Sequence, residues 1–153
     1  MVIVGYQGIG KSTLAQNRNG FIDLESSNFF IDGVRPPDWY IPYCEIALDL
    51  SKQGYDVFVS SHQVVRDYLA AHHTQELIIA CPSKDLKDKW ITKLERRYAL
   101  TGLEKDYKAL MNAKDRYDAN IDELFNQDGF DYCLVINSMN YDLGALLNIL
   151  KEN

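Results

Sequence analysis

Short runs of hydrophobic residues alternate along the chain with longer segments in which hydrophobic residues recur every three or four positions. Most of the short runs are continuous rather than alternating, which is typical of β-strands buried on both faces. They occupy residues 2–4, 21–24, 57–60, 77–80 and 132–136. Because strands of this kind are separated by helical segments, we expect an α/β fold built from βαβ units around a five-stranded parallel sheet.

The longer segments predict the helices that connect these strands. Four of them lie at residues 11–17, 38–53, 63–71 and 141–151. Residues 83–127 show no strand pattern and predict two charged amphipathic helices joined at Thr101 and Gly102. We expect these two helices to form a hairpin that rises from the edge of the sheet, within a single domain spanning residues 1–153. The residues predicted to share the inner face of the second helix are Tyr107, Leu110, Met111, Tyr117, Ile121, Leu124 and Phe125.

Composition and charge narrow the class of protein. With 46% hydrophobic and 25% charged residues, the chain is typical of a globular domain. Its formal net charge of −6 disfavours nucleic acid as a partner. No segment has the roughly 18 to 20 apolar residues of a membrane helix, so we expect no membrane contact and a cytoplasmic protein. The oligomeric state is not indicated by the sequence.

The cysteine pattern agrees with that environment. Cys44, Cys81 and Cys133 lack the CxxC spacing of metal and redox sites. Cys81 and Cys133 lie in or beside hydrophobic runs. The sequence therefore predicts reduced cysteines that pack as small hydrophobic side chains.

The segment GYQGIGKST, residues 5–13, carries the most specific motif of the chain. Gly5, Gly10, Lys11 and Ser12 satisfy the pattern G-x-x-x-x-G-K-[ST] between a strand and a helix. The glycines let backbone N–H groups converge on an anion, the lysine reaches β- and γ-phosphates, and the serine hydroxyl can bind Mg²⁺. The alternative is a turn without a ligand. The nucleotide-binding residues predicted here are Gly5, Gln7, Gly8, Ile9, Gly10, Lys11, Ser12 and Thr13.

On this motif, the chain resembles the small P-loop kinases, a group that includes adenylate, guanylate and shikimate kinases. It is also similar to the phage-encoded adenylate-kinase-like proteins that are taken to be nucleotide kinases. The segments that carry this second resemblance are GYQGIGKSTLA, IDLESSNFF, VFVSSHQVVRDYL and GLEKDYKALMNAKDRYDANI. The resemblance implies a three-layer P-loop kinase fold with strand order 2-3-1-4-5, a lid-like hairpin at residues 83–127, and ATP and Mg²⁺ as bound cofactors.

The carboxylates after the second strand are candidates for the acceptor site, because ligands of open α/β sheets bind at the carboxyl ends of the strands. In shikimate-kinase-like enzymes an acid at this place binds or deprotonates the acceptor hydroxyl. The resemblance therefore implies that Asp23 is the base, or binds Mg²⁺ through water, with Glu25 as its competitor. The alternative is that both acids cap the following loop.

The third strand ends in VSSHQVVRDYL, without the acid of a Walker-B motif. Mg²⁺ would then be held by Ser12, the phosphates and water, as in adenylate kinase, or the protein would bind nucleotide and turn it over poorly. We expect Ser61 and His62 to face the same rim, with Arg66 one helical turn further on, so that the three could bind an acceptor phosphate. An N-cap serine and a surface arginine explain these residues equally well.

The predicted hairpin supplies arginines of the kind that close over a transferring phosphoryl group in nucleotide kinases. Arg96 and Arg97 precede the bend at Thr101 and Gly102, and Arg116 follows it. At most one of the adjacent arginines can face the site, because they point about 100° apart on a helix. Ion pairing on a solvated surface explains the others.

Two further segments are candidates for contacts with a base. Asn137 and Ser138 follow the last strand and resemble the turn that holds the purine in guanylate and adenylate kinases, or they are turn and N-cap residues. The second segment lies before the second predicted helix and contains Arg35, Trp39 and Tyr40. We expect these side chains either to stack on a base or to belong to the core.

The sequence thus predicts a kinase that transfers the γ-phosphoryl group of ATP to a nucleoside monophosphate or a nucleoside. In this reading Lys11, Asp23 and a hairpin arginine are catalytic and Ser12 binds Mg²⁺. A nucleotide-binding or sensing protein without efficient turnover is the alternative. An ATPase coupled to a protein partner is weaker, because no second motif for activating water is present.

Overall fold

The computed structural model describes residues 1–152 and shows parallel strands alternating with helices. The strands are β1 Val2–Gly5, β2 Phe21–Asp23, β3 Asp56–Val59, β4 Leu77–Pro82 and β5 Tyr132–Ile136. The helices are α1 Lys11–Asn17, α2 Tyr40–Lys52, α3 Gln63–His72, α4 Lys87–Thr101, α5 Glu104–Phe125 and α6 Leu143–Glu152, with short 3-10 turns at Ser26–Phe29 and Lys84–Leu86. Within residues 1–152, no helix combines the length and the apolar character that a membrane crossing requires.

The five strands form one sheet in the order β2-β3-β1-β4-β5. Every pairing is parallel, and Val4 lies between Val59 of β3 and Ile79 of β4. The predicted α/β class, the parallel sheet and the strand order are therefore confirmed. Because the strands run the same way, their carboxyl ends meet at one edge. Gly5 and Asp23 end β1 and β2 there, and Ser60 directly follows β3.

The centre of the sheet supplies most of the hydrophobic core. All residues of β1, β3 and β4 are buried, as their continuous hydrophobic runs predict. The two edge strands differ, because each has a partner on one side alone. Tyr132 and Cys133 of β5 are exposed, so the expectation of a packed Cys133 is wrong. Cys44 and Cys81 are buried free thiols as predicted.

Helices α4 and α5 form the predicted hairpin, but its base belongs to the core. Gly102, whose φ of 63° is left-handed, ends α4 and permits the tight turn. Trp90 and Leu94 of α4 are buried against the sheet end and the loop after β1. The hairpin therefore packs over the sheet rather than rising from its edge.

The inner face of α5 differs in part from the predicted one. Leu110, Tyr117, Ile121 and Leu124 are buried as predicted. Tyr107 and Phe125 are exposed, and Ala113 takes a buried position instead. The helical geometry breaks at Arg116, whose φ is −138° and ψ is 21°, but the buried positions keep one helical period on both sides of it.

Candidate functional site

The segment of residues 5–12, here called the glycine loop, joins β1 to α1 and curls through two left-handed residues. Gly8 and Gly10 have φ values of 82° and 107°, which side-chain-bearing residues rarely adopt. The loop curls around the side chain of Lys11, whose Nζ donates to the Gly5 carbonyl oxygen at 3.3 Å. A side chain at Gly5 would require its neighbours to shift, since an added Cβ would lie 3.0 Å from Lys11 Cδ and 3.1 Å from Ile9 Cγ2. The local backbone geometry at Gly10 and the close contacts at Gly5 thus explain why the loop has glycine at both motif positions.

Two aromatic side chains hold the carbonyl groups of the glycine loop. Trp90 of α4 donates from Nε1 to the Gln7 carbonyl at 2.9 Å, and the Tyr141 hydroxyl donates to the Ile9 carbonyl at 2.8 Å. Their rings stack nearly parallel, with centroids 6.2 Å apart. The sequence analysis did not select either residue. The feature that could have indicated Trp90 is its position as a large aromatic residue within an otherwise charged helix.

Gln7 ties the same loop to α5. Its Nε2 donates to the Ala109 carbonyl at 3.0 Å and to Asn112 Oδ1 at 3.1 Å. The side chain predicted to bind nucleotide is therefore engaged with the hairpin, while Gln7 still lines the cavity described next.

A cavity of about 1070 Å³ opens at the glycine loop. It is walled by the loop, α1, the segment after β2, the hairpin and the segment after β5. Its charged lining residues are the cations Lys11, Arg18, Lys93, Arg97 and Lys105 and the acids Asp23, Glu25, Asp106 and Asp142. The five cations exceed the four acids by one positive charge, in a chain whose net charge is −6. The lining is therefore more favourable to an anion than the surface as a whole.

Most of the predicted loop residues line this cavity. Those that do are Gln7, Gly8, Ile9, Gly10, Lys11, Ser12 and Thr13. Burial lowers the pKa of Lys11, while the nearby carboxylates of Asp23 and Glu25 raise it. The structure therefore brings Lys11 close enough to Asp23 and Glu25 for their charges to interact.

Asp23 ends β2 and lines the cavity together with Glu25 and Ser60. Burial raises the pKa of Asp23; Lys11 lowers it and Glu25 raises it further. A carboxylate that binds protons more readily than an exposed one is suited to act as a base. Glu25 points towards the hairpin, where its carboxylate pairs with Lys105 at 3.7 Å.

The three predicted hairpin arginines have different surroundings. Arg97 lines the cavity, and its Nε pairs at 2.9 Å with Asp106, a carboxylate that is 3% exposed. The other oxygen of Asp106 accepts from the Thr101 hydroxyl, which fixes the hairpin turn. Arg96 does not line the main cavity; it lines an adjoining groove of about 560 Å³ along α4 that shares Lys93 and Arg97 with the cavity. Arg116 pairs with Glu123 at 3.0 Å, outside the main cavity.

Arg66 and His62 are not brought to the main cavity. Arg66 is buried between α3 and the end of α5, where it donates to the Ser61 carbonyl at 3.0 Å and Gln127 Oε1 at 2.8 Å. Its guanidinium also pairs with Glu123 at 3.5 Å. The expectation that Arg66 faces the acceptor is therefore corrected, because its donors bind the Ser61 carbonyl, Glu123 of α5 and Gln127 just after α5.

His62 lines a smaller pocket of about 220 Å³, which shares Gln7 with the main cavity. Arg35 donates to its Nε2 at 3.2 Å, so Nδ1 carries the proton and donates to Ser60 Oγ at 2.9 Å. Burial, together with Arg35, lowers the pKa of His62 to about 4. A neutral imidazole held between an arginine and a serine explains this residue structurally.

The segment after β5 reaches the cavity through other residues than predicted. Asn137 and Ser138 are exposed, whereas Met139, Tyr141 and Asp142 line the cavity. Asp142 pairs with Arg18 at 3.7 Å, and Arg18 was not among the predicted site residues. Because Asn137 directly follows β5, the chain must continue two residues further before it turns over the cavity.

The aromatic residues before α2 belong largely to the core. Trp39 is buried and packs against Tyr43, with ring centroids 5.4 Å apart. Arg35 lies over the Trp39 ring, with 4.5 Å from Cζ to the centroid. The core interpretation of Trp39 is therefore the correct one.

Comparisons with known proteins bear on the fold. No family model matches the sequence, and no curated protein matches it. Among solved structures, the chain is similar to the crystal structure of an uncharacterized protein from Eubacterium ventriosum, with a TM-score of 0.50 and 15% sequence identity. The alignment covers 99% of this chain and 95% of that chain. At this identity the similarity concerns the fold, which is the α/β arrangement around a five-stranded parallel sheet.

Proposed function

We propose that the protein is a P-loop kinase of nucleosides or nucleoside monophosphates that uses ATP. The observation that carries this proposal is the position of the G-x-x-x-x-G-K-S loop. It opens into a cavity that also holds Asp23 and four cations besides Lys11. A volume of about 1070 Å³ suits a ligand of nucleotide size. A negatively charged ligand suits the cationic lining.

The oxygen atoms beside the loop fit a magnesium ion. Ser12, Asp23 and Glu25 line the same cavity, and Mg²⁺ prefers a few carboxylate or hydroxyl oxygens completed by water and phosphate. In the proposed site Mg²⁺ would neutralise phosphate charge. β3 ends without a carboxylate, so Ser12 is the residue that would hold the ion directly.

Each side chain in the proposed reaction has a role that follows from its place. Transfer breaks the bond between the γ-phosphorus and the β,γ-bridging oxygen and forms a bond to an acceptor oxygen. Lys11 neutralises the phosphates at the loop, and Arg97 is the hairpin arginine that faces them. With a hydroxyl acceptor, Asp23 takes the proton, which its raised pKa favours. A phosphate acceptor is already ionised and needs no base.

A second candidate is a nucleotide-binding protein without efficient turnover. The observation that favours it is the carboxyl end of β3, which continues as Ser60 and Ser61 where a Walker-B acid would bind Mg²⁺. The charges of Arg97 and Arg116 are also balanced by acids, which weakens their pull on a transferring group.

The experiment that tests the proposal is incubation with Mg-ATP and a panel of nucleosides and nucleoside monophosphates, with ADP as the readout. A kinase forms ADP rapidly with one acceptor and slowly without any. Lys11→Met should lower that rate at least about 100-fold, because it removes a charge that stabilises the transition state. Lys52→Met is the matched control, since Lys52 is an exposed lysine at the end of α2.

The outcomes separate the candidates. ADP formation that depends on one acceptor and on Lys11 supports the kinase. Tight ATP binding without ADP formation supports the second candidate. Wild-type binding and turnover in Lys11→Met would contradict both.

A further inference from the structure

The cations of the main cavity differ in whether an acid already balances them. Arg18 pairs with Asp142 at 3.7 Å, Arg97 with Asp106 at 2.9 Å and Lys105 with Glu25 at 3.7 Å. Within residues 1–152, neither Lys11 nor Lys93 forms an ion pair. Asp23 also forms no ion pair in the described part of the chain, and its carboxylate acts on Lys11. Lys93 has no such acid beside it among these residues, so it carries the least compensated positive charge of the cavity.

Lys93 is fixed to the glycine loop through aromatic side chains. Its Nζ donates to the Tyr141 hydroxyl oxygen at 3.0 Å and lies 4.5 Å from the centroid of the Trp90 ring. Tyr141 and Trp90 are the residues that bind the loop carbonyls of Ile9 and Gln7. The amine is thus positioned by the same contacts that shape the loop.

The surroundings of Lys93 favour an anionic ligand. The cation–π contacts with Trp90 and Tyr141 stabilise its charge in part, but they supply no negative group. Burial, and then Arg97, lowers the pKa of Lys93. A partly desolvated cation that has no acid beside it is stabilised when an anion binds next to it. One of its three N–H groups is used by Tyr141, and two remain to donate.

We propose that Lys93 is a phosphate-binding residue that acts with Lys11 on the outer phosphates of a polyphosphate ligand. This role rests on the proposed function, in which that ligand is ATP. It assigns to a lysine of α4 the charge that the sequence suggested for Arg96, Arg97 or Arg116. Arg97 remains beside it, and its ion pair with Asp106 fixes the turn that positions α4.

The test compares Lys93→Met with wild type by calorimetric titration of adenosine, Mg-ADP, Mg-ATP and inorganic tripolyphosphate. Methionine keeps an apolar stem on the two rings, and thermal unfolding verifies the fold. We expect Lys93→Met to bind Mg-ATP and tripolyphosphate about 10- to 100-fold more weakly, the range of one charge-assisted hydrogen bond. Adenosine affinity should change less than about twofold, and Lys93→Arg should recover most of the loss.

Lys87→Met is the matched control. Lys87 begins the same helix, outside the cavity lining. Its replacement should leave all four affinities unchanged. If the more negative net charge of the variants were the cause, both variants would bind the anionic ligands equally weakly. That result would overturn the role of Lys93.

Tripolyphosphate separates this inference from the proposed function. If wild type binds tripolyphosphate through Lys93 but phosphorylates no acceptor, the kinase proposal fails and the role of Lys93 stands. If Lys93→Met binds tripolyphosphate as wild type does, or loses adenosine affinity equally, the role of Lys93 is wrong. Wild type that binds neither Mg-ATP nor tripolyphosphate would overturn both.

Discussion

Asp23 is held partly out of water at the end of β2, and its raised pKa has a consequence for stability as well as for the proposed catalysis. The folded state keeps a proton that the unfolded chain releases near pH 3.8, so this group favours folding below that pH. The contribution is lost as pH rises through the folded pKa. We therefore expect Asp23→Asn to raise the free energy of unfolding at pH 7, with a smaller gain at pH 5.

The same variant should lose activity, since asparagine cannot accept a proton. A reduction of kcat by about 10²- to 10⁴-fold is the range of a lost general base. Urea titrations at the two pH values and turnover with a nucleoside acceptor check the two effects together. An Asp23→Asn protein that is less stable than wild type at pH 7 would show that the carboxylate is a structural cap, as the alternative reading of the sequence holds.

His62 has the opposite dependence on pH. Burial and Arg35 lower its pKa to about 4 from an ordinary value of 6.5. As pH falls through 6.5 the unfolded chain binds a proton before the folded one, so stability is lost between about pH 6.5 and 4. His62→Gln does not titrate and should lose less stability than wild type between pH 7 and pH 5. Urea midpoints at both values measure this, and equal losses would contradict it.

At the scale of elements, hydrophobic periodicity predicted most of the secondary structure. The bounds of α1 and β5 agree to the residue, because the motif loop and polar neighbours delimit each one. The inner face of α5 was harder, because two of its buried positions are Asp106 and Ala113, which a pattern of large hydrophobic residues does not select. That the hairpin packs on the glycine loop could not be predicted, because the contact of Trp90 with Gln7 joins residues far apart in sequence.

The packing of α4 on the loop predicts a specific effect at Gly8. An added Cβ would lie 2.8 Å from Leu94 Cδ2 and 3.3 Å from Trp90 Nε1. Gly8→Ala should therefore lower the free energy of unfolding by the strain of a left-handed alanine plus the cost of overpacking. Gly20→Ala is the matched control, because Gly20 also has a positive φ of 91° but open space around it.

The difference between these two variants isolates the contact of the hairpin with the loop. We expect Gly8→Ala to be less stable than Gly20→Ala by about 1–3 kcal/mol, the range for an overpacked core. Urea denaturation of both variants measures it. Equal stabilities would mean that α4 moves away from the loop at little cost.

At the scale of the whole molecule, the sequence predicted the glycine loop as one wall of the cavity. The hairpin and the segment after β5 form further walls that became known from the structure. The glycine motif fixed the residues around Lys11, because spacing along the chain is the signal there. Ion pairs such as that of Arg97 with Asp106, or the contact of Arg66 with Gln127, depend on how distant segments meet. They decide which cations stay free for a ligand, so the charge balance of the site required the structure.

A cavity lined by residues from Gln7 to Gly144 links the stability of the whole chain to its ligand. A ligand that binds the folded state alone adds about 2.7 kcal/mol at 100 times its dissociation constant. For a domain of about 150 residues each kcal/mol raises Tm by roughly 2–4 °C, so saturating Mg-ATP should raise Tm by about 5–10 °C. Mg²⁺ alone should have little effect, and Lys11→Met should lose most of the shift. An equal shift with adenosine at equal concentration would show that the phosphates add no affinity. A full shift in Lys11→Met would show that the nucleotide binds elsewhere than at the glycine loop.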